Sequence, residues 1–239
     1  MSKNKVAIIT QCRVSSTRLP NKLLLKIKNF KIIDFFLKRI KKIKVDLIIC
    51  AVANEKNNEN LLRAISKNNV EIFLGSKNNV LKRTYLAAKK YKIKTVVRIT
   101  SDCPLIDPSL VNKGLKIFKK KKLSYLSNNS PRTWPHGLDF EIFDIKLLKL
   151  AYLNGKLPNE KEHVTPYFKK IKKIKKFNLK NKIILDRYYR WTLDTKDDLI
   201  FFRKLINKYP QISKKYNWLN LYKYLKKYPQ IQSLNTSDL

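Results

Sequence analysis

Three short stretches of this chain hold residue types that could do chemistry. The first runs Gln11-Cys12-Arg13-Val14-Ser15-Ser16-Thr17-Arg18-Leu19-Pro20-Asn21-Lys22-Leu23. It sets Arg13, Arg18 and Lys22 beside the hydroxyls of Ser15, Ser16 and Thr17, directly after an apolar run. Cations, hydroxyls and backbone amides converging after a strand suit a polyphosphate. An ordinary polar loop accounts for the same residues equally well. The stretch contains neither GxxxxGK nor GxGxxG, so it is not a Walker A loop or a dinucleotide fingerprint.

The second stretch, Arg98 to Pro108, puts Asp102 after a buried-type strand, with Asp107 before Pro108 as a helix cap. The third, Trp191-Thr192-Leu193-Asp194-Thr195-Lys196-Asp197-Asp198, ends another apolar run at Asp194. Two strand-end carboxylates could share one Mg²⁺, a hard cation that takes oxygen ligands and triphosphates. The plain reading of the second stretch, a cap or turn, fits Asp107 better than Asp102, and Asp197 and Asp198 favour a helix start. Cys12 and Cys103 flank these stretches, but no CxxC or HxxxH spacing makes a zinc site with His136 or His163. Trp134 suits a core cap at least as well as a stacking platform for a base or sugar.

Elements that alternate between strand and helix must position these residues. Apolar runs at 6–11, 47–53, 70–74 and 95–100 read as strands. Helical periodicity covers 31–44, 57–67, 79–91 and 108–120. That alternation predicts an α/β fold with a mostly parallel, doubly wound sheet, which binds ligands at the carboxyl ends of its strands. Beyond residue 127 the order loosens. A loop spans 127–137, strands are expected at 138–143, 175–179 and 188–193, helices at 144–153, 160–170 and from 195, and the tail over 216–228 is amphipathic and aromatic. We expect a single domain over 1–239, with an inserted region at about 127–170 whose aromatic and apolar content suits a homodimer contact.

Composition narrows the function classes. The chain has 239 residues, 44% of them hydrophobic, enough for a core and too many for a disordered basic tail. Its net charge is +37. The basic residues are 44 Lys and 10 Arg, spread over many predicted helices. Nucleic-acid readers lean on Arg for its planar fork. Lys, Asn and Ile share A/T-rich codons, so base composition accounts for the excess as well as a partner would. No nucleic-acid partner is expected, and a non-enzymatic nucleic-acid-binding protein is the rival class. No uncharged run exceeds ten residues, while a membrane-spanning helix needs roughly 20. Residues 6–12 read as a first strand rather than a signal peptide. Three scattered cysteines give no disulfide framework and point to the cytoplasm.

Six motifs in register carry a resemblance over roughly residues 5–205. The first stretch is similar to the N-terminal signature of the cytidylyltransferases that activate acidic sugars, the CMP-acylneuraminate and CMP-deoxyoctulosonate synthetases. The remainder resembles the spore coat polysaccharide biosynthesis protein F family: Gly75-Ser76 with Val80-Leu81 and Arg83, then Arg98-x-Thr100-x-Asp102-Cys103-Pro104-Leu105-Ile106-Asp107. Pro135-x-Gly137-Leu138-Asp139-x-Glu141, Glu162-His163-Val164-Thr165-Pro166-Tyr167 and Asp194-Thr195-x-x-Asp198-Leu199 follow. Ser15 and Asn21 stand where that family has Gly, and Asn79 where it has Asp.

The resemblance implies a nucleotide-diphosphosugar-transferase fold and use of CTP with Mg²⁺. Carried over, Arg13 and Lys22 would hold the triphosphate, with Ser16, Thr17, Arg18 and Arg83 around the nucleotide. Asp102 and Asp194 would hold the metal, and Arg13, Lys22 and Asp102 would act in catalysis. His136, Asp139, Glu141, Glu162 and His163 would face an acidic sugar acceptor. The expected reaction joins CTP to a nonulosonic or related ulosonic acid, releasing pyrophosphate. The alternative within this fold is a nucleotidyltransferase for another acceptor or nucleotide.

Overall fold

The computed structural model describes residues 4–185, 188–213 and 217–235. Its centre is a seven-stranded sheet. In chain order the strands are β1 (Val6–Cys12), β4 (Leu47–Ala53), β5 (Glu71–Gly75), β6 (Thr95–Arg98), β7 (Tyr125–Ser127), β8 (Glu141–Asp144) and β9 (Lys176–Asn178). The spatial order is β5-β4-β1-β6-β8-β7-β9, and only β8 runs antiparallel to its neighbours. A two-residue-per-strand hairpin, β2 (Lys26–Ile27) and β3 (Phe30–Lys31), stands apart.

Side-chain alternation explains why the first strands read as continuous apolar runs. Along β1, Ile8 and Cys12 enter one core while Ala7 and Ile9 enter the other. Strands buried on both faces are apolar throughout. On one side lie α1 (Ile32–Ile40), α2 (Glu59–Ser66), α4 (Pro108–Lys120), α8 (Lys196–Lys208) and α9 (Trp218–Lys227). On the other lie α3 (Val80–Lys90), α5 (Ile145–Asn154) and α7 (Pro166–Lys170). The short α6 (Pro158–His163) precedes α7, and α10 (Pro229–Gln232) follows α9.

Several expectations from the sequence change. The helix expected at 160–170 is two helices. Val164 takes φ 69° and Thr165 precedes Pro166, which disfavours helical backbone before it. The segment 188–193 is not a sheet strand; its one bridge joins Arg190 to His136. Of 138–143, only the part from Glu141 onward pairs in the sheet. β7 and the β2–β3 hairpin, of three and two residues per strand, are too short to show a period. The region 127–170 supplies β8 to the sheet between β6 and β7. Of the amphipathic tail at 216–228, Tyr216 lies outside the described residues and Trp218–Lys227 form α9.

Candidate active site

The parallel strands all end at one rim. β4 lies on one side of β1 and β6 on the other, so the strand order reverses there, the usual place for a ligand crevice. A cleft of about 460 Å³ opens at this rim. Every site residue expected from the sequence lines it: Arg13, Ser16, Thr17, Arg18 and Lys22 after β1, Arg83 on α3, and Asp102 after β6. His136, Asp139 and Glu141 come from the approach to β8, Glu162 and His163 from α6, and Asp194 from the entry to α8.

The loop after β1 is held from beneath. Leu19 and Leu23 are buried in the core. The Glu55 carboxylate, carried past the end of β4, accepts the amides of Val14 at 2.8 Å and Ser15 at 3.4 Å. Burial alone would raise the Glu55 pKa. The Ser15 hydroxyl, those two amides and Lys77 outweigh it and hold the group below its ordinary value. Asn21 adopts the left-handed conformation, φ 55°, and starts the single 3₁₀ turn that presents Lys22. Asn visits that region more easily than other side-chain-bearing residues, so it can replace the family's Gly here. Asn79 replaces an Asp as readily, because its Oδ1 caps α3 by accepting the Lys82 amide at 2.8 Å.

Asp102 and Asp194 share one cation, and that cation is Lys22. Its Nζ lies 2.8 Å from Asp194 Oδ1 and 3.9 Å from Asp102 Oδ2, and it donates to the Leu193 carbonyl at 3.0 Å. The carboxylates therefore face one cleft, as expected, but for a different reason. Asp194 ends no sheet strand. Its segment is tied to the Asp102 turn by the Leu193 amide, which donates to the Asp102 carbonyl at 2.8 Å. Arg18 and the buried Arg190 also approach Asp194 Oδ2, each at 3.3 Å. Arg190 binds Asp198 as well, and Asp198 accepts the amides of Asp194 and Thr195. Asp198 is thus both a helix cap and an anchor for Arg190.

Burial would raise the Asp194 pKa, but Lys22 first, then Arg18 and Arg190, bring it below the ordinary carboxylate value. A group with a depressed folded pKa contributes stability above its unfolded pKa and loses it as pH falls through the folded one. Denaturant unfolding at a series of acid pH values should therefore cost the parent more stability than Asp194→Asn. Parallel curves for the two proteins would contradict the assignment.

The far side of the cleft is built from the β6–β8–β7 loops. The antiparallel register sets Arg98 opposite Glu141, and the two pair at 2.7 Å. Tyr125 donates to the other Glu141 oxygen at 2.6 Å, and Arg98 also reaches Gln11 at 3.1 Å. Glu141 is buried with both oxygens engaged, so it steadies Arg98 rather than offering a free carboxylate. Asp139 holds Arg132 through two bonds, 3.2 and 3.0 Å, and faces His136 at 3.7 Å. Burial chiefly lowers the His136 pKa, which keeps the ring neutral at pH 7. Glu162 and His163 stand exposed on the rim.

Sequence reasoning did not single out Arg132, Arg190, Glu55 or Gln11. Arg132 and Arg190 sit in stretches read as a plain loop and a plain strand, and no periodic signal marks them. Buried Nε atoms of Arg83 and Arg98 find no hydrogen-bond partner among the described residues. Trp134 is buried, donating to the Leu179 carbonyl at 2.7 Å and packing edge-on against Trp218. Cys12, Cys50 and Cys103 are free and buried. Burial raises the Cys103 thiol pKa, which disfavours a nucleophilic thiolate.

A family model described as cytidylyltransferase matches residues 7–227. A solved cytidylyltransferase from Leptospira borgpetersenii is 33% identical, with a TM-score of 0.90 over 96% of this chain and 97% of its own. The spore coat polysaccharide biosynthesis protein SpsF of Bacillus subtilis is 24% identical over 86% of this chain and 88% of its own. CMP:2-keto-3-deoxy-manno-octonic acid synthetase, solved in complex with CTP, shares the fold at 15% identity. Its TM-score is 0.64 over 85% of this chain and 99% of its own.

Proposed function

The chain belongs to the cytidylyltransferase family, and from that premise we propose that it joins CTP to an acidic sugar, a nonulosonic or related ulosonic acid, for surface glycan synthesis. Membership makes it a nucleotidyltransferase, and this replaces the rival reading of a non-enzymatic basic protein. The observation that carries the acidic acceptor is the division of the cleft. Arg13, Arg18, Lys22 and Arg83 line the β5–β4–β1 side, while Arg132 extends from the loop after β7. β7 lies three strands from β1, about 14 Å away at the usual spacing. A cation carried on that side of the cleft, its fork fixed by Asp139, suits a second anion, and a sugar carboxylate is the simplest one. The polysaccharide setting is supported by the name of the Bacillus relative.

In this reading an acceptor hydroxyl oxygen attacks the α-phosphorus in line. The new oxygen–phosphorus bond forms as the bond to the β-phosphate bridge breaks, the hydroxyl proton passes to solvent, and pyrophosphate leaves. Arg13 and Lys22 offset the charge that gathers on the leaving group. Arg132, fixed by Asp139, orients the acceptor so that its hydroxyl faces the α-phosphate. His136 and the rim residues Glu162 and His163 contact its remaining hydroxyls, and Ser16, Thr17 and Arg83 bind the nucleotide.

The donor set suits a hard divalent cation. Asp102 and Asp194 supply two carboxylates that already face a positive charge, and a triphosphate and water would complete the shell. We assign Mg²⁺ to this pair; when bound it polarises the phosphate and neutralises its charge. Free, buried thiols and the use of CTP favour a cytoplasmic setting.

Pyrophosphate release tests the reaction, with each of the four nucleoside triphosphates against 2-keto acid sugars, neutral sugars and sugar phosphates. Release is expected with CTP and a 2-keto acid sugar. Turnover confined to a sugar phosphate or to another nucleotide would replace this reading with the alternative. Within it, Arg132→Ala should raise the acceptor KM about 10–100-fold while the CTP KM stays within about twofold, as expected for loss of a charge-assisted contact to one substrate.

We also take the enzyme to act as a homodimer. Leu150 and Leu153 on α5 and nearby Leu157 are 46, 60 and 52% exposed, an apolar strip that a second copy would cover. Sedimentation should return twice the chain mass for the parent and the monomer mass for Leu153→Asp. A monomeric parent would remove this part of the proposal.

A further inference from the structure

The family match ends at residue 227, yet the chain continues into the cores behind the cleft. Helix α10 and the following 3₁₀ turn, Ser233–Asn235, bury two polar side chains, Gln232 and Asn235. Both are spent on one neighbour. Asn235 Nδ2 donates to the Arg190 carbonyl at 2.8 Å. Gln232 Oε1 accepts the Trp191 indole N–H at 3.4 Å, and its Nε2 donates to the Tyr188 carbonyl at 3.4 Å. Ile231 is buried beside them.

The segment they hold, residues 188–193, lies outside the sheet. Its backbone is bonded to Leu185, His136 and Asp102, with a bridge joining Arg190 to His136. From this segment the Arg190 guanidinium reaches Asp194 and Asp198 at the cleft. We propose that residues 229–235 are a positioning element for the active site, with Asn235 and Gln232 fixing the backbone of residues 188–191, hence Arg190, hence the Asp194 carboxylate. The catalytic consequence rests on the role given to Asp194 above; the structural one does not. Buried amide side chains bonded to the backbone and the indole of one segment specify its position more narrowly than apolar contacts would.

The test uses the full-length chain carrying Gln232→Ala with Asn235→Ala. Hydrogen exchange reads the positioning directly, because the Asp194 and Thr195 amides are bonded to Asp198, the other partner of Arg190. Exchange at those two amides should quicken about tenfold, the loss that one or two hydrogen bonds imply, while Ile8 and Ile9 in β1 stay protected. The half-saturating Mg²⁺ concentration for pyrophosphate release should rise with the CTP KM little changed. Should the double variant fail to fold, Asn235→Ala alone removes one bond and leaves Ile231 and Leu234 packed.

Exchange that quickens equally in β1, or at neither amide, would overturn the proposal. Local exchange that quickens in the variant, while the parent shows no CTP turnover, would sink the proposed reaction and leave the positioning element standing.

Discussion

Asp102→Asn is expected to lower the turnover of CTP about 10²–10³-fold, the usual loss when one electrostatic group aimed at the reacting phosphate is removed. Its unfolding midpoint should move by no more than about 2 °C, since a partly exposed side chain with only two long contacts, the Cys103 thiol at 3.6 Å and Lys22 at 3.9 Å, is worth within about 0.5 kcal/mol. The structure gives the reason for this split. The Asp102 side chain is 31% exposed and its nearest cation, Lys22, is 3.9 Å away. Its backbone carbonyl, which holds Leu193, is untouched by the substitution.

Asp194→Asn makes the contrasting control. Asp194 is 14% exposed and meets Lys22, Arg18 and Arg190. Its neutralisation should cost turnover and also about 1–3 kcal/mol of stability, because buried cations lose a partner. Steady-state kinetics with parallel denaturant unfolding separates the two variants. Equal turnover in Asp102→Asn and the parent would remove Asp102 from the mechanism and with it the shared cation site.

Gly137→Ala should produce the largest loss of stability, about 3–5 kcal/mol, since it combines forbidden backbone with a backbone clash. Gly137 has φ 106°, a region closed to side chains. An added Cβ would fall 2.5 Å from the Trp191 carbonyl carbon and oxygen and 2.9 Å from the Thr192 nitrogen. Those atoms cannot retreat cheaply. His136 donates its amide to the Tyr189 carbonyl, and the Trp191 amide donates back to His136. Leu193 is tied to Asp102. Any shift that relieves the clash therefore moves Asp194 relative to Asp102, so activity should fall in whatever fraction folds. Denaturant unfolding of this single variant is decisive. A midpoint equal to the parent's would mean that the 136–139 and 189–193 segments do not meet as closely as the structure has them.

What could be read in advance depended on how local its cause was. The strands of the first half are legible because both faces of a central parallel strand are buried, so composition alone marks Leu47–Ala53 at its observed bounds. Asp107 is legible as a cap because its partners, the amides of Ser109 and Leu110, are two and three residues away. Thr195 and Asp198 form a capping box for the same reason. The loops after β1 and β6 were also legible as cleft walls, since strand ends gather at one rim in a doubly wound sheet, whereas Arg83, His136, Asp139, Glu141, Glu162 and His163 rested on the family resemblance.

The failures share a physical origin as well. The segment 188–193 is apolar and alternating, like a strand, but its apolar side chains serve a core contact rather than a ladder. Local pattern cannot distinguish the two, because burial sets the pattern and pairing does not. Glu141 looked like a free acid on the cleft wall. The antiparallel return of β8 lays it beside Arg98 and Tyr125, and only the register decides that. Lys22 standing between Asp102 and Asp194 follows from contacts over 80 and 172 residues of sequence, which no spacing encodes.

By itself, then, the sequence determined the alternating elements, the caps and which loops reach the carboxyl rim, because hydrophobic period and short-range hydrogen bonds act within a few residues. The tertiary structure alone decided which charges pair, which are buried and which remain open to a ligand. Those outcomes depend on distances between chain segments far apart in sequence, and electrostatic energies change steeply over a few ångströms and with burial.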